Sequence, residues 1–214
     1  MTKAPTVKVL AFRVPPYDNG AYVVIDDRNE ALIVDPSMGE REVLAAVREQ
    51  GVKVIEILNT HGHPDHVFAN APVKSATAAR LAIHRADAYR LELAATRSSG
   101  AIPAAVRAVA DDLIEEGALP YLADTQLHAL HTPGHTEGST CFHLPLHGLL
   151  FSGDVLFAGN VGRVDRPGGD ADQMEASLRR VAALPPETTV YPGHGRPTTI
   201  RAELPWLRGF RFDR

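Results

Sequence analysis

His61-Gly62-His63-Pro64-Asp65-His66, entered from the apolar run Val54–Thr60, decides how the rest of this chain is read. In an extended segment side chains two apart share a direction, so His61 and His63 can grip one ion from one side. Asp65 and His66 face a second centre only if the chain then turns into a helix. Gly62 and Pro64 suit that turn, because glycine tolerates tight geometry and proline fits a first helical turn. Neutral imidazole is a ligand for zinc, iron, copper and nickel, and a carboxylate adds the negative charge that a dication needs. Four ligand-type side chains within six residues therefore point to metal binding rather than to a structural cluster.

Outward from this cluster, three more apolar runs end in loops that carry a ligand-type residue. Leu127–His131 leads into Thr132-Pro-Gly-His135, Leu149–Ser152 into Gly153-Asp154, and Thr188–Tyr191 into Pro192-Gly-His194-Gly195. Singly these are weak signals: a histidine in a Pro-Gly turn is more often a surface residue, and a lone aspartate is more often a cap. Their shared position beyond strand ends changes that, because open α/β sheets place their chemistry in such loops.

The remaining pattern supplies the frame. Val23–Ile25 and Ala31–Val34 flank the turn Asp26–Asn29 and predict a hairpin. Ser37 and Glu40 have capping-box spacing ahead of a helix with Val43, Leu44 and Val47 on one face and Gly51 as its stop. A second helix is expected from Asp65 through Phe68 and Val73, and a strand at Leu81–His84. The Ala-rich segment from Ala86 to Gly117 reads as helical, with Ile102, Val106, Val109 and Leu113 as an apolar packing stripe. Strands resume after Pro120, and Asp170–Leu184 is a helix with Met174, Leu178 and Val181 on one face. Strands alternating with helices predict an α/β or α+β layered fold, read as one domain over residues 1–214.

The net charge of −4, without a Lys/Arg run, argues against a nucleic-acid partner. No stretch reaches the 18 or so apolar residues of a membrane span. Met1–Leu10 has no apolar run of signal-peptide length, which makes the cytoplasm the expected location. Cys141 is the single cysteine and reads as core. Of the 10 histidines, His84, His128, His143 and His147 read as packing or surface residues, while His131, just before a motif, stays open.

Four segments taken in order carry a resemblance. Thr60–His66, Thr132–Ser139, Ser152-Gly-Asp-Val-Leu-Phe157 through Gly162-Arg163, and Tyr191–Gly195 together resemble the metallo-β-lactamase superfamily, and within it the glyoxalase II-like branch. The resemblance implies a four-layer αββα sandwich with the site along one edge of two sheets. It implies two divalent metal ions (zinc, with iron or manganese as alternatives), one on His61, His63 and His135 and the other on Asp65, His66 and His194, with Asp154 bridging. It further implies hydrolysis of a small-molecule thioester or ester, with Asp65 and Asp154 as the catalytic carboxylates. Arg163 could hold a substrate carboxylate or simply pair with Asp165, and Asn19, near Tyr17 and Tyr22, could reach the site. Only 20 residues follow His194. The helical C-terminal domain that helps glyoxalase II bind glutathione is therefore not expected, the tail Ala202–Arg214 with Trp206, Phe210 and Phe212 cannot replace it, and the substrate-covering wall would fall to the 86–117 segment. The alternatives are a persulfide dioxygenase, similar in the same motifs but using one iron on two His and one Asp, and a non-catalytic metal-binding protein. Oligomeric state is left open.

Overall fold

In the computed structural model, which describes residues 6–119, 122 and 126–212, two six-stranded sheets form the centre. The first holds β1 (Val7–Val14), β2 (Asn19–Asp26), β3 (Glu30–Val34), β4 (Lys53–Asn59), β5 (Arg80–His84) and β6 (Asp112–Ile114) in that order. β2 and β3 make the expected hairpin, with Val23 opposite Ile33. Its turn is closed by Asp26, whose Oδ1 accepts the backbone N–H groups of Arg28 and Glu30, each at 2.9 Å. From β3 onward the strands run parallel, and parallel neighbours need crossovers. α1 (Glu40–Gln50) provides one, α2 (Pro64–Val67) with α3 (Asn70–Thr77) the next, and α4 (Ala88–Thr96) lies in the last. The second sheet comprises β7 (Gly117–Ala118), β8 (His128–His131), β9 (Thr140–Leu144), β10 (Leu149–Gly153), β11 (Thr189–Pro192) and β12 (Thr198–Thr199). α5 (Ala171–Ala182) crosses from β10 to the parallel β11, and α6 (Ile200–Leu207) follows β12.

Three apolar clusters fix the layers. Val24, Leu32 and Leu58 of the first sheet meet Ala129, Phe142 and Phe151 of the second, so the sheets pack face to face. On the outer face of the first sheet, Ile33, Ile57 and Ile83 pack with Val43 of α1, Val73 of α3 and Leu91 of α4. On the outer face of the second, Cys141, Leu150 and Val190 pack with Met174 and Leu178 of α5 and Ile200 of α6. The order is helix, sheet, sheet, helix: the αββα sandwich that the resemblance implies. Cys141 is a buried free thiol within the outer cluster. Among the described residues no helix is long and apolar enough to cross a membrane.

Several expectations are corrected, and the helix expected from Asp65 through Val73 is two, α2 ending at Val67 and α3 starting at Asn70. The capping box at Ser37 does not form: Gly39 is the N-cap of α1 without a side-chain bond, and the Ser37 hydroxyl donates instead to the carbonyls of Gly20 and Asp35. Ser37 sits at φ 52, a backbone that already belongs to the tight turn after β3. The Ala86–Gly117 segment is not one helix. α4 ends at Thr96, before Ser98-Ser99-Gly100 and Pro103, and the chain then runs irregularly to β6 and β7. Ile102 is buried, but Val106 and Val109 are 70% and 69% exposed, so the four-residue stripe is not a packing face. β1 went unread in the sequence, although Val7 and Val9 turn toward the inter-sheet core while Leu10 and Phe12 turn outward. The turn expected at Pro120 lies outside the described residues, as do Asp213 and Arg214 of the tail.

One buried group in β4 works against stability at neutral pH. Glu56 is 1% exposed and its Oε1 has no hydrogen-bond partner. Burial, reinforced by the nearby Asp112 and Asp111 charges, pushes its carboxyl up to about 8 from 4.5. The folded protein therefore keeps this proton where the unfolded chain has released it, and stability falls as pH rises from 4.5 towards 8. Glu56→Gln removes the ionisable group. Its Tm advantage over the wild type should grow by about 5 °C or more between pH 5 and pH 8.5. An advantage that does not change with pH in thermal melts would refute this account.

Candidate metal centre

The loops at the ends of β4, β8, β10 and β11 converge. β4 delivers Thr60 and His61, after which His63 and Pro64 open α2, which carries Asp65 and His66. The His61, His63 and His135 ring nitrogens form one group of potential ligands, and Asp65, His66 and His194 another, each within 4.8 Å. His63 Nδ1 lies 2.8 Å from His135 Nε2 and 3.0 Å from His61 Nε2. His66 Nε2 lies 3.3 Å from His194 Nε2, and Asp65 Oδ2 lies 3.4 Å from the same His194 nitrogen. Asp154 stands between the groups. Its Oδ1 is 3.4 Å from His66 Nε2, and its Oδ2 is 3.4 Å from both His135 Nε2 and His194 Nε2. All seven residues singled out in the sequence thus meet.

The far side of most rings is tied to the scaffold, and this determines which nitrogen faces inward. His135 Nδ1 donates to the Arg163 carbonyl at 2.7 Å and His194 Nδ1 to the Tyr17 carbonyl at 2.8 Å. A carbonyl can only accept, so these nitrogens carry the protons and the Nε2 lone pairs point into the cluster. His66 Nδ1 lies 3.0 Å from Asp35 Oδ2, and the same carboxylate accepts both the backbone N–H and the hydroxyl of Thr60. Asp35 holds φ 45 to do so, a conformation this bonding sustains. Glycines allow the close approaches. A Cβ at Gly193 would strike the Asp154 carboxylate, and Gly134, at φ 132, lies against the backbone of Met174 in α5.

The electrostatics favour a cation. Burial first, then neighbouring imidazoles, push His61 and His63 down, His63 to about 3. Burial also opposes a charge on His66, yet Asp154, Asp65 and Asp35 outweigh it and raise this ring to about 10. Asp154 stays ionised well below the usual carboxylate range: burial resists, but His66 and His194 overcome it. Asp154 Oδ1 is buried with no hydrogen-bond partner. Inward ring nitrogens, an unpartnered carboxylate oxygen and two acidic side chains make a donor set that fits two divalent cations, which would displace the His66 proton on binding.

Two buried acids complete the support and were missed in the sequence. Asp35 follows β3, the same strand-end position as the other loops, so a signal existed. Asp87, fully buried, left none: its Oδ2 accepts Gly62 N–H and the Thr136 hydroxyl, and its Oδ1 accepts Gly138 N–H, each at 2.8 Å. It clamps the His61 loop to the His135 loop. Asn19 is buried and donates to Asp65 Oδ2 at 3.0 Å. The Arg163 guanidinium forms a two-point pair with Asp165 at 2.5 and 2.6 Å while lining the cleft above the cluster. His131 stacks on His84, ring centres 4.1 Å apart, and joins neither ligand group.

Comparison with known proteins agrees with this geometry. Residues 16–194 match the family model described as metallo-beta-lactamase superfamily. A hydroxyacylglutathione hydrolase from Cereibacter sphaeroides is 38% identical over 179 residues, which are 83% of this chain and 62% of that protein. The chain therefore spans less than two thirds of that relative's length. The crystal structure of BLEG-1 B3 metallo-beta-lactamase is similar with a TM-score of 0.85 and 30% identity, covering 92% of this chain and 97% of that one. The structure of TTHA1623 in a di-iron-bound form follows at 0.80 and 37%, covering 91% and 96%.

Asp87→Ala should strip partners from two buried backbone N–H groups and cost about 3 kcal/mol or more of unfolding free energy. Urea denaturation measures it, and a loss below about 1 kcal/mol would show that the clamp contributes little. Chelation of the purified protein should lower Tm, and added zinc, iron or manganese should restore it, because a ligand that binds only the folded state stabilises that state. A Tm indifferent to both treatments would contradict the metal-centre reading.

Proposed function

The chain belongs to the metallo-beta-lactamase superfamily, and on that premise we propose that it is a dinuclear metal-dependent hydrolase acting on a thioester or ester. The observation that carries the reading is Asp154, which approaches ring nitrogens of both ligand groups from its two oxygens. His61, His63 and His135 would hold one cation, Asp65, His66 and His194 the other, and Asp154 both. Two divalent cations in those positions would polarise an acyl carbonyl and lower the pKa of water from 15.7 towards about 7. The complete Asp65–His66–His194 set supports two ions over a single iron. The hydroxyacylglutathione hydrolase at 38% identity supports thioester chemistry.

The chain's own groups have separable tasks. Asp65 lines the cleft, and the Asn19 amide and His66 keep it ionised against the effect of burial. It is placed to accept a proton from a water entering the cleft. Addition of that water's oxygen to the acyl carbon breaks the C–S or C–O bond, Asp65 passes its proton to the departing sulfur or oxygen, and the new carboxylic acid loses the second water proton to solvent, giving a carboxylate and a thiol or alcohol. No Ser or Cys nucleophile is needed, and burial pushes the Cys141 thiol up to about 12, far from any such role. Arg163 would orient substrate from the cleft wall only by exchanging Asp165 for a substrate carboxylate.

Asp154→Asn should lower turnover of an acyl thioester at least about 100-fold and reduce bound metal below two ions per chain. The tests are metal analysis and a panel of thioester, ester, lactone and β-lactam substrates. A variant that retains both full metal content and near-normal turnover would overturn the bridging role. A metal-replete wild type inactive across the panel would overturn the hydrolase itself.

A further inference from the structure

We propose that the mouth of the cleft is an anion subsite, in which Arg97 and Arg166 hold a carboxylate or phosphate on the part of the substrate that does not react. The inference rests on the hydrolase reading for the words "substrate" and "react", but not for the binding itself.

The cleft has a volume of about 760 Å³, well beyond what a short acyl group fills. Its lining carries charge of both signs. The two carboxylates among its described lining residues, Asp65 and Asp154, belong to the metal centre, while four arginines (Arg90, Arg97, Arg163 and Arg166) line the walls. Two of the four are committed. Arg90 is buried, paired with Asp87 and Glu137, and donates to the Pro167 carbonyl. Arg163 holds both oxygens of Asp165. The guanidinium groups of Arg97 and Arg166 have neither an ion pair nor a hydrogen bond among the described residues, and both side chains are exposed. Arg166 adds to the field that keeps Asp165 ionised, but Arg163 already occupies that carboxylate. In a chain whose net charge is −4, the cleft nonetheless carries four arginines against two aspartates.

Both are carried by loops that the metal-site histidines themselves anchor. Arg97 directly follows α4, and the loop after it is fastened to Tyr17, whose hydroxyl accepts the Ala101 N–H at 2.9 Å. The Tyr17 carbonyl in turn accepts the His194 Nδ1 proton. Arg166 lies three residues after Arg163, whose carbonyl accepts the His135 Nδ1 proton. One arginine is thus linked to each ligand group. A planar guanidinium presents two parallel N–H donors that match a carboxylate or a phosphate. A substrate whose reacting carbonyl lies at the floor would therefore have its anionic end received at the mouth.

The test uses three inert thioethers of equal length in which a methylene replaces the thioester carbonyl. They end in a carboxylate, a phosphate monoester or a neutral methylamide, and calorimetry measures their binding to the metal-loaded full chain. The better anionic ligand should bind at least ten times more tightly than the amide, and whichever of the two it is identifies the anion. Arg97→Gln/Arg166→Gln should abolish that preference without moving Tm, and Arg97→Lys/Arg166→Lys should restore part of it. Equal or undetectable binding of all three ligands by the wild type would overturn the subsite. So would a preference that persists in the double Gln variant, since the metal centre alone would then be binding the anion. Hydrolysis of the matching neutral and anionic thioesters by the same proteins separates the two readings. An intact preference without any hydrolysis sinks the reaction and leaves the subsite, whereas hydrolysis without preference does the reverse.

Discussion

Five imidazoles and two carboxylates crowded within hydrogen-bond distance of one another need a scaffold that holds rings from behind. The inward nitrogens of His61, His63 and His135 would otherwise turn away, since three lone pairs 2.8 to 3.0 Å apart have little to offer each other. The scaffold limits this by fixing the opposite edges of His66, His135 and His194. Backbone carbonyls at Tyr17 and Arg163 and the Asp35 carboxylate take the outward protons of three rings. Much of the architecture serves that requirement. The strand ends bring these residues to the cluster, and the apolar packing between the sheets sets the loops of both sheets side by side.

The same requirement explains which parts were legible in the sequence. His61 to His66 could be read because ligand-type residues at two-residue spacing, flanked by Gly and Pro, express a local need. His135, Asp154 and His194 became legible through their place after apolar runs. The supporting acids express no local pattern. Asp87 acts on Gly62 and Gly138, 25 and 51 residues away, and a lone aspartate before a helix looks like a cap. Ser37 shows the opposite error, a pattern that matched a local rule while tertiary structure used the residue otherwise. Its hydroxyl was recruited to tie β2 to the turn after β3, across 17 residues.

The 86–117 segment failed for a different reason. Alanine content gave it helical propensity, and apolar residues recurred at helical spacing. Propensity is a weak prior where a strand can be completed instead. Asp111 accepts the Leu81 N–H at 2.8 Å and Asp112 pairs with Arg80, which draws the following residues alongside β5 as β6. With that end committed, the intervening chain crosses the surface and leaves Val106 and Val109 in solvent.

This division of labour bears on specificity. The cluster at the floor is over-determined: nearly every atom there has a structural duty, and a change such as filling Gly193 would collide with Asp154. The mouth is the reverse. Tyr17, Arg97 and the loop that follows it rest on few bonds, and the loop carrying Arg163 and Arg166 is held through its backbone, by His135 at the Arg163 carbonyl and by Arg90 at the Pro167 carbonyl. Side chains there can change without disturbing the clustered histidines and aspartates. A chain of this architecture can therefore keep one chemistry at its base while the charge and reach of its rim decide which substrates arrive, and here the rim is basic on an otherwise acidic protein.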